Sequence, residues 1–329
     1  MTSLQSSLNA ISRIGLLTNP LSGRNRRRPE ALTIVIDKYP EVIRQDATTI
    51  EEIHDALLYF ANLGIDILVV NGGDGTIQAI LTILCHDTTP FVTPPQLMVL
   101  KGGTTNMIAG DVGIDGDQME AFKRLLQWAE TSKGTIGRIQ RPVLRLLVPG
   151  HEPKYGMFFG AGCITQATSY YHQHLHNNIF GGFPGICMTI GRFLWALIRK
   201  QKNFAGLTSM TINRDGHLTP RDDYILFLAS TLNRLIFGLN PFWGSENGPL
   251  RSTAITSQAR YMPWVLPFLA FNRMTRTGTA ENGYYSNNGH EVALHLTDSV
   301  VLDGEMYTPQ SSKHPTVLQY GGEATFIRI

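Results

Sequence analysis

The sequence predicts an α/β fold, with an N-terminal three-layer α/β domain and a C-terminal, mostly antiparallel β-sandwich domain. A chain of 329 residues is long enough for two domains. In residues 1–138, apolar strand-like runs alternate with amphipathic helical patterns, which is typical of a parallel sheet covered on both faces. In residues 139–311, strand-like runs follow one another with few helical intervals, which favours an antiparallel arrangement.

Apolar runs and helix-capping residues predict the first strands and helices of the chain. Ile14–Thr18 is a short apolar strand, and Leu32–Ile36 is either a buried helical segment or a strand. A helix is predicted from residue 49 to residue 63. Thr49 and Glu52 have the spacing of a capping box, and Gly64 provides the stop.

The rest of the first domain repeats the alternation of strand and helix. Ile65–Val70 is a buried strand that leads directly into a helical pattern, Ile77–Leu84. Leu97–Leu100 is the next strand, and Asp117 and Glu120 open a helix that reaches about residue 130.

The second domain is predicted from a series of short strands. They are Val143–Val148, Met157–Ala161, Leu207–Ile212, Tyr224–Ser230, Glu291–Leu296 and Ser299–Leu302. Two helices interrupt the series, at Ile186–Lys200 and around Tyr261–Met274. A last strand, Ala324–Ile329, lies in residues 312–329, and its pattern does not say which domain it joins.

Composition excludes some classes of protein. The net charge of +2 gives no electrostatic case for nucleic-acid binding. Cys85, Cys163 and Cys187 have neither metal nor redox spacing, which indicates buried thiols in a reducing compartment. Residues 1–10 lack the basic region followed by an apolar region that is typical of a secretory signal. No apolar stretch is long enough to span a bilayer. A cytoplasmic protein is therefore expected.

The most informative segment is the turn Gly72–Thr76, which joins a buried strand to a helix. Glycines let backbone N–H groups approach an anion closely, and a helix N-terminus favours negative charge. Asp74 would repel a phosphate unless a divalent cation lies between them. The turn therefore predicts a nucleotide-phosphate site with a metal at Asp74.

Three glycine-bearing loops each follow a predicted strand, at Asn19–Gly23, Gly72–Thr76 and Gly102–Asn106. Loops that follow parallel strands gather at the carboxyl edge of the sheet, where ligands bind. None of the loops has the Walker pattern or the complete dinucleotide fingerprint. The basic cluster Arg24, Arg26, Arg27 and Arg28 just after the first loop suits either phosphate binding or a solvated loop.

These loops, with one late turn, carry a resemblance to a known family. The motifs, in order, are Asn19-Pro20-x-Ser22-Gly23, Gly72-Gly73-Asp74-Gly75-Thr76, Gly103-Thr104-Thr105-Asn106 and Asp303-Gly304-Glu305. Their combination resembles the diacylglycerol kinase catalytic family, which includes bacterial lipid kinases and sphingosine kinases. The second motif alone is less specific, because NAD kinases and phosphofructokinases carry similar loops.

The resemblance implies an ATP- and Mg²⁺-dependent lipid kinase whose first domain is shared in fold with NAD kinases. Glu305 would be the general base, and Asp74 would organise the metal and the phosphates. The last strand would pack back on the first domain. The residues implied in ATP binding are Asn19, Pro20, Ser22, Gly23, Arg24, Gly72, Gly73, Gly75, Thr76, Gly103, Thr104, Thr105 and Asn106.

The sequence also departs from the family pattern. Gln78 and Ala79 stand where the family usually has Asn-Glu, and Met107 stands where lipid kinases often have Asp. Two alternatives therefore stay open: a NAD kinase-like small-molecule kinase, and a non-catalytic lipid- or nucleotide-binding homologue.

A lipid acceptor has to be reached at a membrane surface. Residues Tyr261–Phe271 combine Trp, Phe and Leu with two prolines, a composition that suits either core burial or a surface segment that dips into lipid. Trp264–Phe271 is the predicted contact. The identity of the lipid, whether diacylglycerol, a sphingoid base or phosphatidylglycerol, is open, and so is the oligomeric state.

Overall fold

The structure is a computed structural model that describes residues 13–27, 32–114, 116–131, 133–171, 173, 185, 188, 191–192, 207–269, 271–273 and 275–329. Internal packing divides the chain into two units. The first unit is Met1–Arg141 with Glu323–Ile329, and the second is Pro142–Gly322. The predicted fold class is confirmed, with a parallel-sheet unit followed by antiparallel strands.

The strands and helices of the described residues have the following bounds. The strands are β1 (Ile14–Thr18), β2 (Ile43–Asp46), β3 (Ile67–Gly72), β4 (Gln96–Lys101), β5 (Gly137–Leu147), β6 (Lys154–Gly156), β7 (Phe158–Gly162), β8 (Thr208–Arg214), β9 (His217–Leu218), β10 (Asp222–Ser230), β11 (Leu250–Thr256), β12 (Tyr284–Gly289), β13 (Glu291–His295), β14 (Val300–Leu302), β15 (Glu305–Tyr307) and β16 (Thr316–Arg328). The helices are α1 (Thr33–Ile36), α2 (Ile50–Asn62), α3 (Asp74–Leu84), α4 (Met107–Val112), α5 (Gln118–Thr131), α6 (Cys163–Tyr170) and α7 (Met262–Leu269).

The first unit is built on a parallel sheet in the order β2-β1-β3-β4, followed by the end of β16. One face of the sheet packs against α1 and α5 through a buried apolar cluster. On the other face, Gly15 of β1 lies against Phe60 of α2. Both faces are therefore covered, and only the strand ends and the loops that follow them are left to bind a ligand.

Helix α2 forms as its caps predict. The Thr49 hydroxyl accepts from the backbone N–H of Glu52, and the Glu52 carboxylate accepts from the N–H of Thr49. Gly64 follows with a φ of 68°, a left-handed conformation that glycine adopts without strain. The ambiguous segment at residues 32–36 contains the short helix α1.

The last strand, β16, continues from the second unit into the first. Within the first unit, Phe326 pairs in parallel with Leu97 of β4, and its side chain is fully buried. Ile327 joins the apolar cluster under α1 and α5. The last seven residues therefore complete the parallel sheet at the edge beside β4.

The second unit is a β-sandwich. One layer runs in the order β15-β14-β7-β10-β11-β12, and the other runs β8-β13-β16; β8 also pairs with the start of β10, which joins the two layers. Residues from both layers form one buried cluster in which Phe159 and Phe227 meet edge to face. Strands β2, β11 and β12 were not predicted, because their polar residues break the apolar runs on which the prediction relied.

Helices α6 and α7 cover part of the second unit. Val265 and Leu269 of α7 lie in a buried cluster with Cys163 of α6 and Ile225 of β10. The helix predicted at residues 186–200 falls almost entirely outside the described residues. None of the described helices has both the length and the apolar character that crossing a bilayer requires.

We expect the capping box of α2 to contribute stability in a pH-dependent way. Hydrogen bonds from Thr48 and Thr49 lower the pKa of the exposed Glu52 carboxyl below its ordinary value of 4.5. A carboxyl whose pKa is lower in the folded state stabilises the fold above its ordinary pKa and loses this effect as the pH falls through the folded-state pKa. Glu52→Gln should therefore lower the melting temperature at neutral pH, and the difference from wild type should shrink in acid.

Thermal unfolding followed by circular dichroism at about pH 7 and about pH 3 measures this difference. Glu51→Gln is the matched control, because Glu51 is exposed on the same first turn and lies outside the capping box. A Glu52→Gln penalty that is the same at both pH values would contradict the assignment.

Candidate functional site

The three predicted loops meet in the first unit, at the carboxyl ends of β1, β3 and β4. The N–H of Asn19 donates to the carbonyl of Asn71 over 3.0 Å. The N–H of Arg24 donates to the carbonyl of Gly102 over 2.9 Å, and the N–H of Gly73 donates to Oγ of Ser22 over 3.2 Å. The loop after β1 is therefore hydrogen-bonded to both of the other loops.

Two asparagines hold the first loop in place. Nδ2 of Asn19 donates to Oγ1 of Thr76 over 3.0 Å, and Oδ1 of Asn19 accepts from the N–H of Leu21. Nδ2 of Asn25 donates to the carbonyl of Asn19 over 2.8 Å and to that of Asn71 over 2.9 Å. Asn25 and Asn71 were missed as site residues, although each directly adjoins a motif residue in the sequence.

The glycines are needed because the loops approach one another closely. A Cβ on Gly103 would lie 2.4 Å from the Cα of Gly73, and one on Gly102 would lie 2.8 Å from the backbone N of Gly72. Gly23 lies against the Thr104 side chain in the same way. These contacts leave no space for a side chain, so here glycine is required for loop packing as well as for any approach to a phosphate.

Asp74 joins the second loop to the third. One carboxylate oxygen accepts from the N–H of Met107 over 3.1 Å, and the other accepts from the N–H of Ile108 over 3.0 Å. These are the first two N–H groups of α4, which a helix leaves without internal partners. Burial raises the pKa of Asp74, and the donors at Ile108, Met107 and the Thr105 side chain partly offset that effect.

The predicted role of Asp74 as a metal ligand stays a prediction, because a carboxylate oxygen that accepts one N–H keeps a second lone pair for a cation. Its side chain is 6% exposed, and each carboxylate oxygen already accepts a backbone N–H. Within the described part of the chain, no three acidic, histidine or cysteine side chains are grouped so that they could hold a metal ion. In the structure, the Asp74 carboxylate holds the start of α4 against the start of α3.

The third loop closes on itself through Asn106. This residue has a φ of 49°, and its side chain accepts from the N–H of Gly103 and donates to the carbonyl of Gly103, both over 2.8 Å. Asn106 therefore shapes the loop through its side-chain amide, the same group that was predicted to bind ATP. Thr104 is half-buried and Thr105 is exposed, but the Thr105 hydroxyl donates to the Asp74 carboxylate, so the Thr104 hydroxyl is the candidate for contact with a ligand.

Helix α3 offers backbone donors at the second loop. It begins at Asp74 and has eleven residues, and Gly73 caps it without a side chain. Gly75 and Thr76 therefore lie in a first turn whose N–H groups have no side-chain cap. Such a helix start suits an anion.

A cleft of about 640 Å³ opens beside these loops. The ends of β1–β4, the loop after β1, and α1 and α5 contribute to its walls. Its lining includes the predicted Pro20 and Arg24, together with Asn25, Asn71 and Lys101, which the prediction omitted. Lys101 ends β4 directly before the third loop, and its position at a strand end was the signal that could have identified it.

Glu305 lies in the second unit, in the hairpin of β14 and β15. Asp303 and Gly304 form the two-residue turn with φ values of 48° and 96°, the positive pair that a tight Asp-Gly hairpin adopts. Glu305 is exposed and pairs with Leu302. The Glu305 side chain is therefore exposed at the start of β15.

Asp303 anchors this hairpin. Its side chain is 4% exposed, and its two oxygens accept from the N–H groups of Met157 over 2.8 Å and Phe158 over 2.9 Å. The hairpin tip is thus tied to the start of β7. Sequence reasoning gave Asp303 no role, because its partners lie about 150 positions earlier in the chain.

Comparison with known proteins shows a family likeness in the first unit. Residues 13–139 match the model of the diacylglycerol kinase catalytic domain. The predicted resemblance is therefore confirmed, and a kinase is supported. No curated protein sequence matches the chain.

Solved structures extend the likeness over nearly the whole chain. A putative diacylglycerol kinase from Bacillus anthracis str. Sterne is 18% identical, with a TM-score of 0.63, and the match covers 95% of this chain and 96% of that one. Another putative diacylglycerol kinase from the same organism is 17% identical, with a TM-score of 0.61, and covers 96% and 97%. At these identities the diacylglycerol kinase structures establish a shared fold.

Gly103→Ala should disrupt the contact between the second and third loops. The new Cβ would collide with backbone rather than with a flexible side chain, so the loops must separate. We expect a loss of about 1–3 kcal/mol in the free energy of unfolding and weaker nucleotide binding. Urea unfolding and calorimetry with ATP measure the two effects.

Gly110→Ala is the matched control, because a Cβ on Gly110 of α4 meets nothing within 4 Å. It should leave nucleotide binding unchanged and raise stability by about 0.5–1 kcal/mol, the usual gain from glycine to alanine in a helix. Equal behaviour of the two variants would show that the loops do not need their close contact.

Proposed function

We propose that this protein is an ATP-dependent kinase that transfers the γ-phosphoryl group to the hydroxyl of a lipid, such as diacylglycerol or a related lipid. The observation that carries the proposal is the convergence of three loops on the uncapped start of α3, beside a cleft whose lining includes the basic Arg24, Arg44 and Lys101 as well as the acidic Asp46 and Asp117. The family match of residues 13–139 supports it independently.

The phosphates of ATP are assigned to the loops of the first unit. The proposed donors to the phosphates are backbone N–H groups at the start of α3 and the hydroxyl of Thr104. Arg24 and Lys101 add positive charge on the wall of the cleft. The cleft volume of about 640 Å³ falls within the usual range for small-molecule sites.

The proposed chemistry is a direct phosphoryl transfer. The lipid hydroxyl oxygen forms a bond to the γ-phosphorus as the bond to the β–γ bridging oxygen breaks, and ADP leaves. The hydroxyl proton passes to the Glu305 carboxylate, which is exposed and able to accept it. Asp74 would hold a Mg²⁺ ion through the remaining lone pairs of its carboxylate, and the ion would offset the negative charge of the phosphates.

Asp74 is assigned a positioning role in this proposal. By holding the N–H groups of Met107 and Ile108, it sets the distance between the second and third loops. Phosphoryl transfer depends on positioning more than on covalent chemistry, so an indirect role is compatible with a large effect on rate.

A non-catalytic binding homologue is the second candidate. The position of Met107 beside the Asp74 carboxylate favours it, because no second acid stands there to share a cation. This candidate predicts ATP binding without phosphoryl transfer. A NAD kinase-like enzyme, in contrast, predicts transfer to a soluble acceptor.

Incubation with γ-labelled ATP separates these functions. The acceptors would be diacylglycerol, a sphingoid base and phosphatidylglycerol in detergent, and NAD in buffer. We expect label in a lipid product identified by mass spectrometry. Label in the NAD product alone would favour the small-molecule kinase, and bound ATP without any labelled product would favour the binding homologue.

Glu305→Gln should lower the transfer rate by about 10²–10⁴-fold, the usual contribution of a positioned general base. The exposed side chain makes no buried contact, so the melting temperature and ATP affinity should stay close to wild type. Glu152→Gln, at another exposed acid of the second unit, is the control. Unchanged turnover in Glu305→Gln would remove Glu305 from the mechanism.

A further inference from the structure

Helix α7 and the residues beside it carry an exposed aromatic face. Tyr261 is 54% exposed, Trp264 74%, Phe268 48% and Phe271 60%. Trp264 and Phe268 lie within α7 four residues apart, which puts them on the same side of the helix, and Tyr261 and Phe271 lie just before and just after it. We call this set the aromatic face.

The opposite side of α7 is fixed to the second unit. Met262, Val265 and Leu269 are buried in the cluster that includes Tyr284 of β12. The Tyr284 hydroxyl also donates to the carbonyl of Arg260, over 2.7 Å. The helix therefore has its core contacts already, and the aromatic face is additional apolar surface presented by an anchored helix.

The charged residues within the segment of the aromatic face have one sign. Arg260, Arg273 and Arg276 are exposed, and within the described part of the chain none of the three takes part in an ion pair. No acidic residue occurs in the sequence from position 257 to position 280. An apolar face whose own segment carries three exposed arginines and no acid is complementary to a surface that is apolar inside and anionic at its boundary.

We propose that the aromatic face and its three arginines dock the protein on an anionic phospholipid bilayer. Trp and Phe side chains bury favourably at the boundary between headgroups and acyl chains. Arginines near that boundary are attracted by the negative surface potential of anionic lipids. The inference deepens the proposed function, because it names the surface on which a lipid acceptor is met.

Vesicle sedimentation with the full chain tests the docking. The vesicles would be phosphatidylcholine alone, or phosphatidylcholine with phosphatidylglycerol. One variant combines Trp264→Ser, Phe268→Ser and Phe271→Ser, and Leu218→Ser is its control, because Leu218 is 66% exposed elsewhere on the second unit. A second variant combines Arg260→Gln, Arg273→Gln and Arg276→Gln, with the exposed Arg221→Gln as its control.

We expect wild type to bind the anionic vesicles more tightly than the neutral ones, with a blue shift in tryptophan emission that Trp264→Phe reduces. Replacing the three arginines should weaken binding to anionic vesicles by at least about tenfold, because each basic side chain near the surface adds to the attraction. The two controls should bind like wild type. The arginine variant changes only exposed side chains, so it tests the proposal even if the serine variant unfolds.

Three results would overturn the inference: vesicle binding by both multiple variants equal to wild type, no vesicle binding by wild type, or a wild-type dimer that the serine substitutions dissociate. The last result would assign the aromatic face to a second copy of the chain. Vesicle binding does not require catalysis, so a protein that docks without transferring phosphate would refute the proposed function alone. One that phosphorylates lipid in detergent without docking would refute this inference alone.

Discussion

The close contact of two backbone turns is the constraint on which the site depends. A Cβ on Gly103 would lie 2.4 Å from the Cα of Gly73, so Gly103 has no space for a side chain, and a Cβ on Gly73 would lie 3.3 Å from the Cα of Gly103. The Asp74 carboxylate holds the same two turns together by accepting the first N–H groups of α4. A buried carboxylate is costly unless its oxygens are hydrogen-bonded, so its position is as strongly determined as that of the glycines.

This constraint gives the acid in the glycine loop a structural role beside its predicted role at a metal. Its carboxylate accepts from two donors that lie 33 and 34 positions further along the chain and are backbone groups. Every residue except proline has a backbone N–H, so the sequence does not show which backbone groups donate to a given side chain. The convergence of the loops, in contrast, was predictable because each follows a strand of a parallel sheet, and such loops meet at one edge.

Similar limits explain what was missed in the fold. Strand β2 has the sequence Ile-Arg-Gln-Asp and lies at the sheet edge, where half of its residues are exposed. It therefore has no apolar run from which a strand could be predicted. Strand β11 carries Arg251, Ser252 and Thr253 in its interior for the same reason. Helix α7 is apolar on all sides, so the sequence shows that it is a helix without showing which side packs and which faces outward.

The course of β16 has a practical consequence for dissecting the molecule. We expect the first unit to fold poorly as one continuous fragment, because residues 1–141 alone lack the strand that pairs with β4. Such a fragment would present the unpaired N–H and C=O groups of an apolar edge and would tend to aggregate. An engineered version would have to append residues 323–329 through a linker, or circularly permute the chain so that β16 comes first.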